Sequence, residues 1–444
     1  MNKKILTLLF AGVLMGALDI AIVGPALPAL QKVFNIDIRE LPWVFNVYLL
    51  FNIVSTPIMA KLSDMNGRRG IYILSIALFA IGSLVIVFAH TYNAMLVGRA
   101  IQGLGSGGIF PIATAVIGDT VEKDKQGRAL GMIGMVFGIA FILGPIIGGL
   151  LLMINWKLIF LINLPIAIAL IYYAYKLLPV NKKETAGKFD WLGMIMLISS
   201  LSLFTWAVNQ VDSNNFFESI GHAHVMYPFI ISLVLLPVYY FHEHRHSSPI
   251  TDTKLLHSKQ LRVTYFLAFT AGLGQTVPMF LPNYCHEAFG MNDSSASFSL
   301  IPMVIALAIG APTAGRLLDK FGARNVLMGG ISLVIIGLLL FILLGHALIG
   351  YYSSLVVLGF GLSAIIGAPL RYIMNQETTS GDRASGQALI SLFTSSGQMI
   401  TAALLGALIA SMGKSADAYR HSILWLVYFI AVALLVSLQL KKKE

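Results

Sequence analysis

The chain has 444 residues, 57% of them hydrophobic and 11% charged, with a mean hydropathy of +0.81. No soluble domain of this size carries that balance, so the sequence reads as a polytopic membrane protein. A single cysteine, Cys285, excludes an internal disulfide and any multi-thiolate metal site.

Long apolar runs recur along the chain, while the alternating ten-residue segments of an outer-membrane barrel do not, so the spans are helices and the fold is all-α. Fourteen are expected, near 5–27, 42–61, 71–89, 93–117, 129–153, 157–178, 190–209, 227–242, 262–285, 295–315, 325–345, 352–374, 386–411 and 421–440. The opening MNKK resembles a signal peptide, but the apolar run is of full span length and no small-residue cleavage site follows a short core, so it reads as a retained first helix.

The first span holds Asp19 inside GALDIAIVGPALP. A charge at the centre of a transmembrane helix costs upward of roughly 2.5 kcal/mol, and such groups normally face a partner or a water-filled path. Arg99 in the fourth span is a second buried charge. Counted from the outer helix ends, both lie roughly 9–12 Å deep at 1.5 Å per residue. Equal depth allows pairing. Arg99 is then either the coupling partner of a proton-carrying Asp19 or a structural clamp on backbone carbonyls.

A formal charge of +10 is compatible with a nucleic-acid partner by its size alone, but its distribution argues otherwise. With the N-terminus inside, Lys and Arg gather on one face, from Lys3 and Lys4 through Arg68, Arg69, Arg128 and Arg383 to Lys441. The other face keeps only Lys32, Arg39, Lys157, Lys414 and Arg420. That bias places both termini in the cytoplasm of an integral cell (inner) membrane protein.

Internal repetition follows. AKLSDMNGRR (60–69) aligns with GRLLDKFGAR (315–324), matching Asp64 to Asp319, Gly67 to Gly322 and Arg69 to Arg324. The same register carries GRALG (127–131) onto DRASG (382–386). The chain thus divides into an N-terminal six-helix bundle, 1–180, a linker with two extra transmembrane helices, 181–260, and a C-terminal six-helix bundle, 261–444. In each matched loop an Asp at a helix end, a Gly suited to a left-handed turn and Arg residues entering the next helix can form a latch; Asp64, Gly67, Arg68, Arg69, Asp319, Gly322 and Arg324 are its candidates. A solvated turn whose arginines only set topology is the competing reading, and recurrence in both halves weighs against it.

The glycine-proline run Gly144, Pro145, Gly148 and Gly149 suits close helix approach and a bend that could seal the protein in one state. Gly103, Gly105 and Gly108 satisfy GxGxxG, but in an apolar span with no βαβ unit they indicate tight packing. His242, His244 and His246 lack HExxH spacing and read as a solvated helix end. Arg371, near the inner end of its span, is expected to snorkel to the interface. Asn46, Tyr48, Met132, Met135, Phe141, Gln275 and Gln398 are candidates to line a cavity between the halves, and Glu287 could bind substrate or proton there or lie at an exposed helix end.

KLSDMNGRR is similar to the cytoplasmic loop signature of the major facilitator superfamily, GRAIQGLGSGGIFP to its fourth-helix motif, and AFILGPIIGG to its fifth-helix antiporter motif. LDIAIVGPALP and WKLIFLINLP resemble the fourteen-helix drug:proton antiporter branch, with Ala21, Gly24, Pro25 and Ala140 departing from the usual pattern. The resemblance implies two six-helix bundles rocking about a central cavity, and proton-coupled export of small amphipathic compounds. It implies no cofactor beyond a proton gradient, and as partners a small-molecule substrate, protons and the lipid bilayer, for a monomer that binds no nucleic acid. A metabolite or anion transporter of the same fold is the alternative. A membrane enzyme or sensor is a more distant one, since no P-loop, paired catalytic acids or nucleophile with base is evident.

Overall fold

In hydrocarbon each backbone N–H and C=O must be satisfied within the protein, which a helix does residue by residue. The computed structural model describes residues 3–36, 43–122, 125–179, 190–211, 215–246, 249, 254–291, 293–379, 382–413 and 415–441, and among them there is no strand.

The first group of helices is α1 (Lys3–Phe34), α2 (Trp43–Asn66), α3 (Arg68–Val87), α4 (Tyr92–Thr120), α5 (Gln126–Leu152), and the short α6 (Leu158–Leu161) running into α7 (Asn163–Leu177). Next come α8 (Trp191–Asn209), α9 (Phe216–Gly221) and α10 (Ala223–Arg245). The second group is α11 (Lys254–His257), α12 (Lys259–Phe289), α13 (Asp293–Phe298), α14 (Ile301–Leu344), α15 (Leu348–Ile366), α16 (Ala368–Glu377), α17 (Arg383–Ser411) and α18 (Ala416–Ser437).

Eleven helices among the described residues are long and apolar enough to cross a membrane. One of these, α14, has 44 residues, about 66 Å at 1.5 Å per residue, or twice the thickness of a hydrocarbon core. It is interrupted at Gly322, with φ 80° and ψ 163°. Gly67, its match in the repeat, separates α2 from α3 with φ 94° and ψ 147°. That region of backbone space is essentially reserved for glycine. The same residue therefore makes the same tight reversal in both halves.

Two apolar cores result. One draws on residues from Ile5 to Leu178 and continues into Ala314, Leu318, Val326, Ala364 and Ala368 of the second group, and the other on residues from Leu255 to Leu440. The pair α8 and α10 packs outside both, with Leu197, Leu201 and Tyr239 clustered against Ile53 and Val54 of α2. Their remaining faces carry exposed Trp191, Ile195, Ile231 and Val234, as lipid-facing helices do.

Glycines set how closely α4 approaches its neighbours. A Cβ at Gly103 would lie 2.5 Å from the Tyr48 carbonyl oxygen, and Gly105 and Gly108 are pressed against Ser75 of α3. The GxGxxG run is a packing surface.

Candidate functional site

Asp19 and Arg99 meet inside the first bundle. Arg99 donates through one terminal nitrogen to Asp19 Oδ2 at 2.6 Å, and both side chains are fully buried. Arg99 Nε donates to the Val44 carbonyl at 3.0 Å. Arg99 thus makes an ion pair with Asp19 and a clamp on a backbone carbonyl at once. Two residues the sequence did not single out complete the shell. Gln102 Nε2 and Asn163 Nδ2 donate to Asp19 Oδ1 at 3.3 and 3.1 Å, and both also reach Ser83 Oγ. A carboxylate only accepts, and three donors converge on this one. Gln102 lies three residues after Arg99, one turn along the same helix face, which is the signal that could have found it.

The pair does not open onto the central cavity. A cavity of about 680 Å³ lies between the halves, lined by α1, α2, α4, α5, α12, α14, α15, α16 and α17. Gly16, Ala17 and Ile20 of α1 face it, while Asp19 turns into the bundle with only 1% exposure. Tyr48 stands between them. Its ring covers the Arg99 guanidinium at 4.4 Å and also lines the cavity.

Of the other cavity candidates, Gln275 and Gln398 line it, with Gln398 Nε2 donating to Gln275 Oε1 at 2.8 Å. Asn46, Met132 and Met135 are not on the wall; α5 presents Leu130 and Ile133 instead. Residues 130 and 133 share a helix face, and 132 and 135 point away from it. Glu287 is exposed at the end of α12 and is not a lining residue. The side chains of Phe141 and Pro145 lie outside the described residues.

Arg371 departs furthest from expectation. It does not snorkel to an interface but is 8% exposed and lines the cavity. Its guanidinium lies 4.1 Å over the Phe110 ring and donates to Gln387 Oε1 at 3.1 Å and Ser391 Oγ at 3.2 Å. The break of the helix at Gly367, between α15 and α16, redirects α16 and keeps this long side chain inside.

One end of the molecule is closed by carboxylates placed on helix N-termini across the two halves. Asp64 at the end of α2 accepts from the backbone N–H groups of Ala384 (3.1 Å) and Ser385 (2.8 Å) and from Ser385 Oγ (2.7 Å), at the start of α17. Asp319 accepts from the N–H groups of Gly127 and Arg128, both at 3.0 Å, at the start of α5. The two contacts are related by the internal repeat. Each puts a negative charge where the helix dipole favours it.

The arginines do not divide as the repeat suggested. Arg68 is buried, paired with Asp64, and donates through Nε to Asp119 at 3.0 Å. Arg383 donates to the other oxygen of Asp119 at 2.6 Å. Arg69 instead reaches the Tyr175 carbonyl at 3.3 Å within its own bundle, and Arg324 Nε finds no partner among the described residues. The second half has Ala323 where the first has Arg68, so the charge network is one-sided.

The glycines of α5 seat this helix on its neighbours. A Cβ at Gly144 would lie 2.5 Å from Ala21 Cβ, and one at Gly148 would lie 3.2 Å from the Ile22 carbonyl oxygen, whereas Gly149 faces open space. The histidines at the end of α10 are not merely solvated. His242 Nε2 lies 2.8 Å and His246 Nδ1 3.7 Å from Asp190 Oδ2, and Gly193 N–H donates to the same carboxylate at 2.8 Å. Burial pushes the Asp190 carboxyl upward, but these partners outweigh it and hold it below the usual carboxylate range.

Comparison with known proteins agrees with this architecture. The model of the Major Facilitator Superfamily matches residues 9–376 and 264–442. An uncharacterized MFS-type transporter, YfiU, of Bacillus subtilis (strain 168) is 31% identical over 84% of this chain and 74% of its own length. Multidrug resistance protein 3 of the same organism is 29% identical over 76% of this chain and 66% of its own. The riboflavin transporter RibZ of Clostridioides difficile (strain 630) is 26% identical over 81% and 78%. Among solved structures, the human organic anion transporter MFSD10 (TETRAN) superposes with a TM-score of 0.76 over 98% of this chain and 99% of its own, at 14% identity.

Proposed function

This chain belongs to the Major Facilitator Superfamily and is a transporter rather than an enzyme; from that premise we propose that it is a proton-coupled antiporter exporting small amphipathic compounds by alternating access. The observation that carries the reading is the fully buried Asp19–Arg99 pair, set one tyrosine ring away from the central cavity.

In the conformation described, Asp19 accepts from Arg99, Gln102 and Asn163. Protonation requires those donors to withdraw, because an isolated carboxylate in a low-dielectric site is costly whereas the neutral acid is not. Tyr48 ties the two sites together: substrate pressing on its ring displaces the cover of Arg99, and a shift of Arg99 reshapes the cavity wall. Multidrug resistance protein 3, the relative of Bacillus subtilis, supports export as the direction.

The two rocking units are residues 1–180 and 261–444, with 181–260 as a lateral pair of helices. Counting α14 as two passes and including α5 and α12 gives fourteen passes, with both termini on the cytoplasmic side by the positive-inside bias. The faces joined by Asp64 and Asp319 are then cytoplasmic, and this state is closed toward the cytoplasm. Asp64, Gly67, Arg68, Asp319 and Gly322 act as the latch, and the glycine helix α5 as the seal.

Asp19→Asn tests the reading. In proteoliposomes with an imposed proton gradient, the variant is expected to lose gradient-driven efflux of an amphipathic dye while retaining gradient-independent exchange of that dye. Undiminished gradient-driven efflux by Asp19→Asn would falsify proton carriage by this residue.

A further inference from the structure

The cavity wall is chemically lopsided. Among the described residues Arg371 is the sole charged one on the wall, and no aspartate or glutamate lies there. Burying a guanidinium without a carboxylate is costly, since neutral amide and hydroxyl partners replace only part of its hydration. Here those partners are Gln387 Oε1, Ser391 Oγ and, at 3.4 Å, the Gln387 carbonyl, and Nε is left with no partner among the described residues. A buried cation whose remaining donor has no acceptor, on the wall of a cavity, fits a ligand that brings one.

The backbone beside it has the same polarity. The helix breaks at Gly367 (φ −82°, ψ −123°), and α16 starts anew with ten residues, no side-chain cap and Pro369 near its start. Gly367, Leu370 and Arg371 all line the cavity. The N-terminus of a broken membrane helix carries partial positive charge and suits an anionic group. The rest of the wall is mainly apolar, with Phe110, Leu307 and Leu362 within it.

Resting on the transport reading above, we propose that the substrate class is an amphipathic anion, whose carboxylate or sulfonate binds between the Arg371 guanidinium and the start of α16 while its apolar body lies along the cavity. Arg371 makes this choice through a planar, permanently charged fork that binds a carboxylate in two-pronged fashion.

The test uses three dyes with one aromatic body and different charge, namely dansylglycine (anionic), dansylamide (neutral) and dansylcadaverine (cationic), measured for binding and flux with the purified full-length protein. Dansylglycine is expected to bind at least tenfold more tightly than dansylcadaverine. Arg371→Gln is expected to weaken dansylglycine tenfold to a hundredfold, the range set by loss of a charge-assisted hydrogen bond, and to leave dansylamide within a factor of about three. Arg371→Lys, which keeps the charge, recovers part of the loss and serves where the glutamine variant does not fold. Equal binding of the three dyes, a preference for the cation, or an unchanged anion preference in Arg371→Gln overturns the proposal. Those outcomes leave proton-driven flux of dansylamide, and its dependence on Asp19, untouched, so failure here is distinct from failure of the antiport reading.

Discussion

Asp64→Asn is the perturbation that most directly weighs the closed end of the molecule. The substitution keeps the side chain's size and removes its charge. Against α17 the carboxylate holds three hydrogen bonds, from Ala384 N–H, Ser385 N–H and Ser385 Oγ. Charged acceptors contribute roughly 1 kcal/mol more per bond than neutral ones, and the helix-terminus interaction adds about 0.3–1 kcal/mol. An asparagine must also turn its amide nitrogen toward one of those donors. The pairing of Asp64 with Arg68 lies within one half, so it cancels between states in which the halves move as units. The expected loss is about 3 kcal/mol, specific to the closed state, and therefore a factor of about 100 in the ratio of closed to open forms. The assay places spin labels at Lys125 and Lys320, which lie on opposite halves and are exposed, in a background with the buried Cys285 replaced by serine. Electron–electron distance measurements in nanodiscs should show a longer-distance population in Asp64→Asn that is minor in the parent. An unchanged distance distribution in the variant would refute the assignment of Asp64 as a latch between halves.

Gly322→Ala forces a side chain onto φ 80° and ψ 163° and should cost about 1–3 kcal/mol, read as a lowered melting temperature, while Gly329→Ala, where a Cβ meets nothing within 4 Å, should be neutral or slightly stabilising; equal melting of the two variants contradicts the strained turn. For Asp190, the folded-state carboxyl is held below its ordinary value, so the stabilisation it gives is present above the ordinary carboxylate range and is lost as pH falls through the depressed folded-state value. Protection against hydrogen exchange at the start of α8, taken relative to the intrinsic rate at each pH, should therefore fall on acidification in the parent but not in Asp190→Asn, and parallel protection profiles in both would remove Asp190 as the titrating group.

How much was legible in the sequence depended on whether the signal was local. The Asp-Gly-Arg loops were readable because the repeat places the same residues 255 apart at Asp64 and Asp319 and at Arg128 and Arg383, and Gly67 and Gly322 do adopt matching positive φ. Pairing of Asp19 with Arg99 followed from counting depth along two helices. What periodicity could not give was rotation. Whether Met132 or Ile133 faces the cavity depends on how α5 turns about its axis, and an apolar helix carries no polar stripe to fix that. Asp119 escaped notice because its partners, Arg68 and Arg383, come from separate halves. Arg371 was misplaced because its span was read as one continuous helix from 352 to 374, although Gly367 and Pro369 carry the signal of a break there.

The two halves share the latch but not the charges inside. At the repeat offset Asp19 corresponds to Gly274, Arg99 to Ser354 and Arg371 to Val116, so the buried acid belongs to the first half alone and the cavity cation to the second. Symmetry at the closed end suits the alternating access proposed above, in which each half must release the other. Coupling needs the opposite, a difference between halves, so that occupancy on one side biases a contact on the other. One helix touches both kinds of site. The N-terminus of α5 is held by Asp319 of the opposite half at Gly127 and Arg128. About 25 Å along the same helix, Gly144 rests on Ala21, two residues from Asp19. A helix of 27 residues that is pressed this closely against α1 cannot swing at one end without shifting its contact at the other. Under the antiport reading proposed above, the packing of α5 joins the latch to the backing of the buried acid, beside the Tyr48 contact that joins the partner of that acid to the cavity.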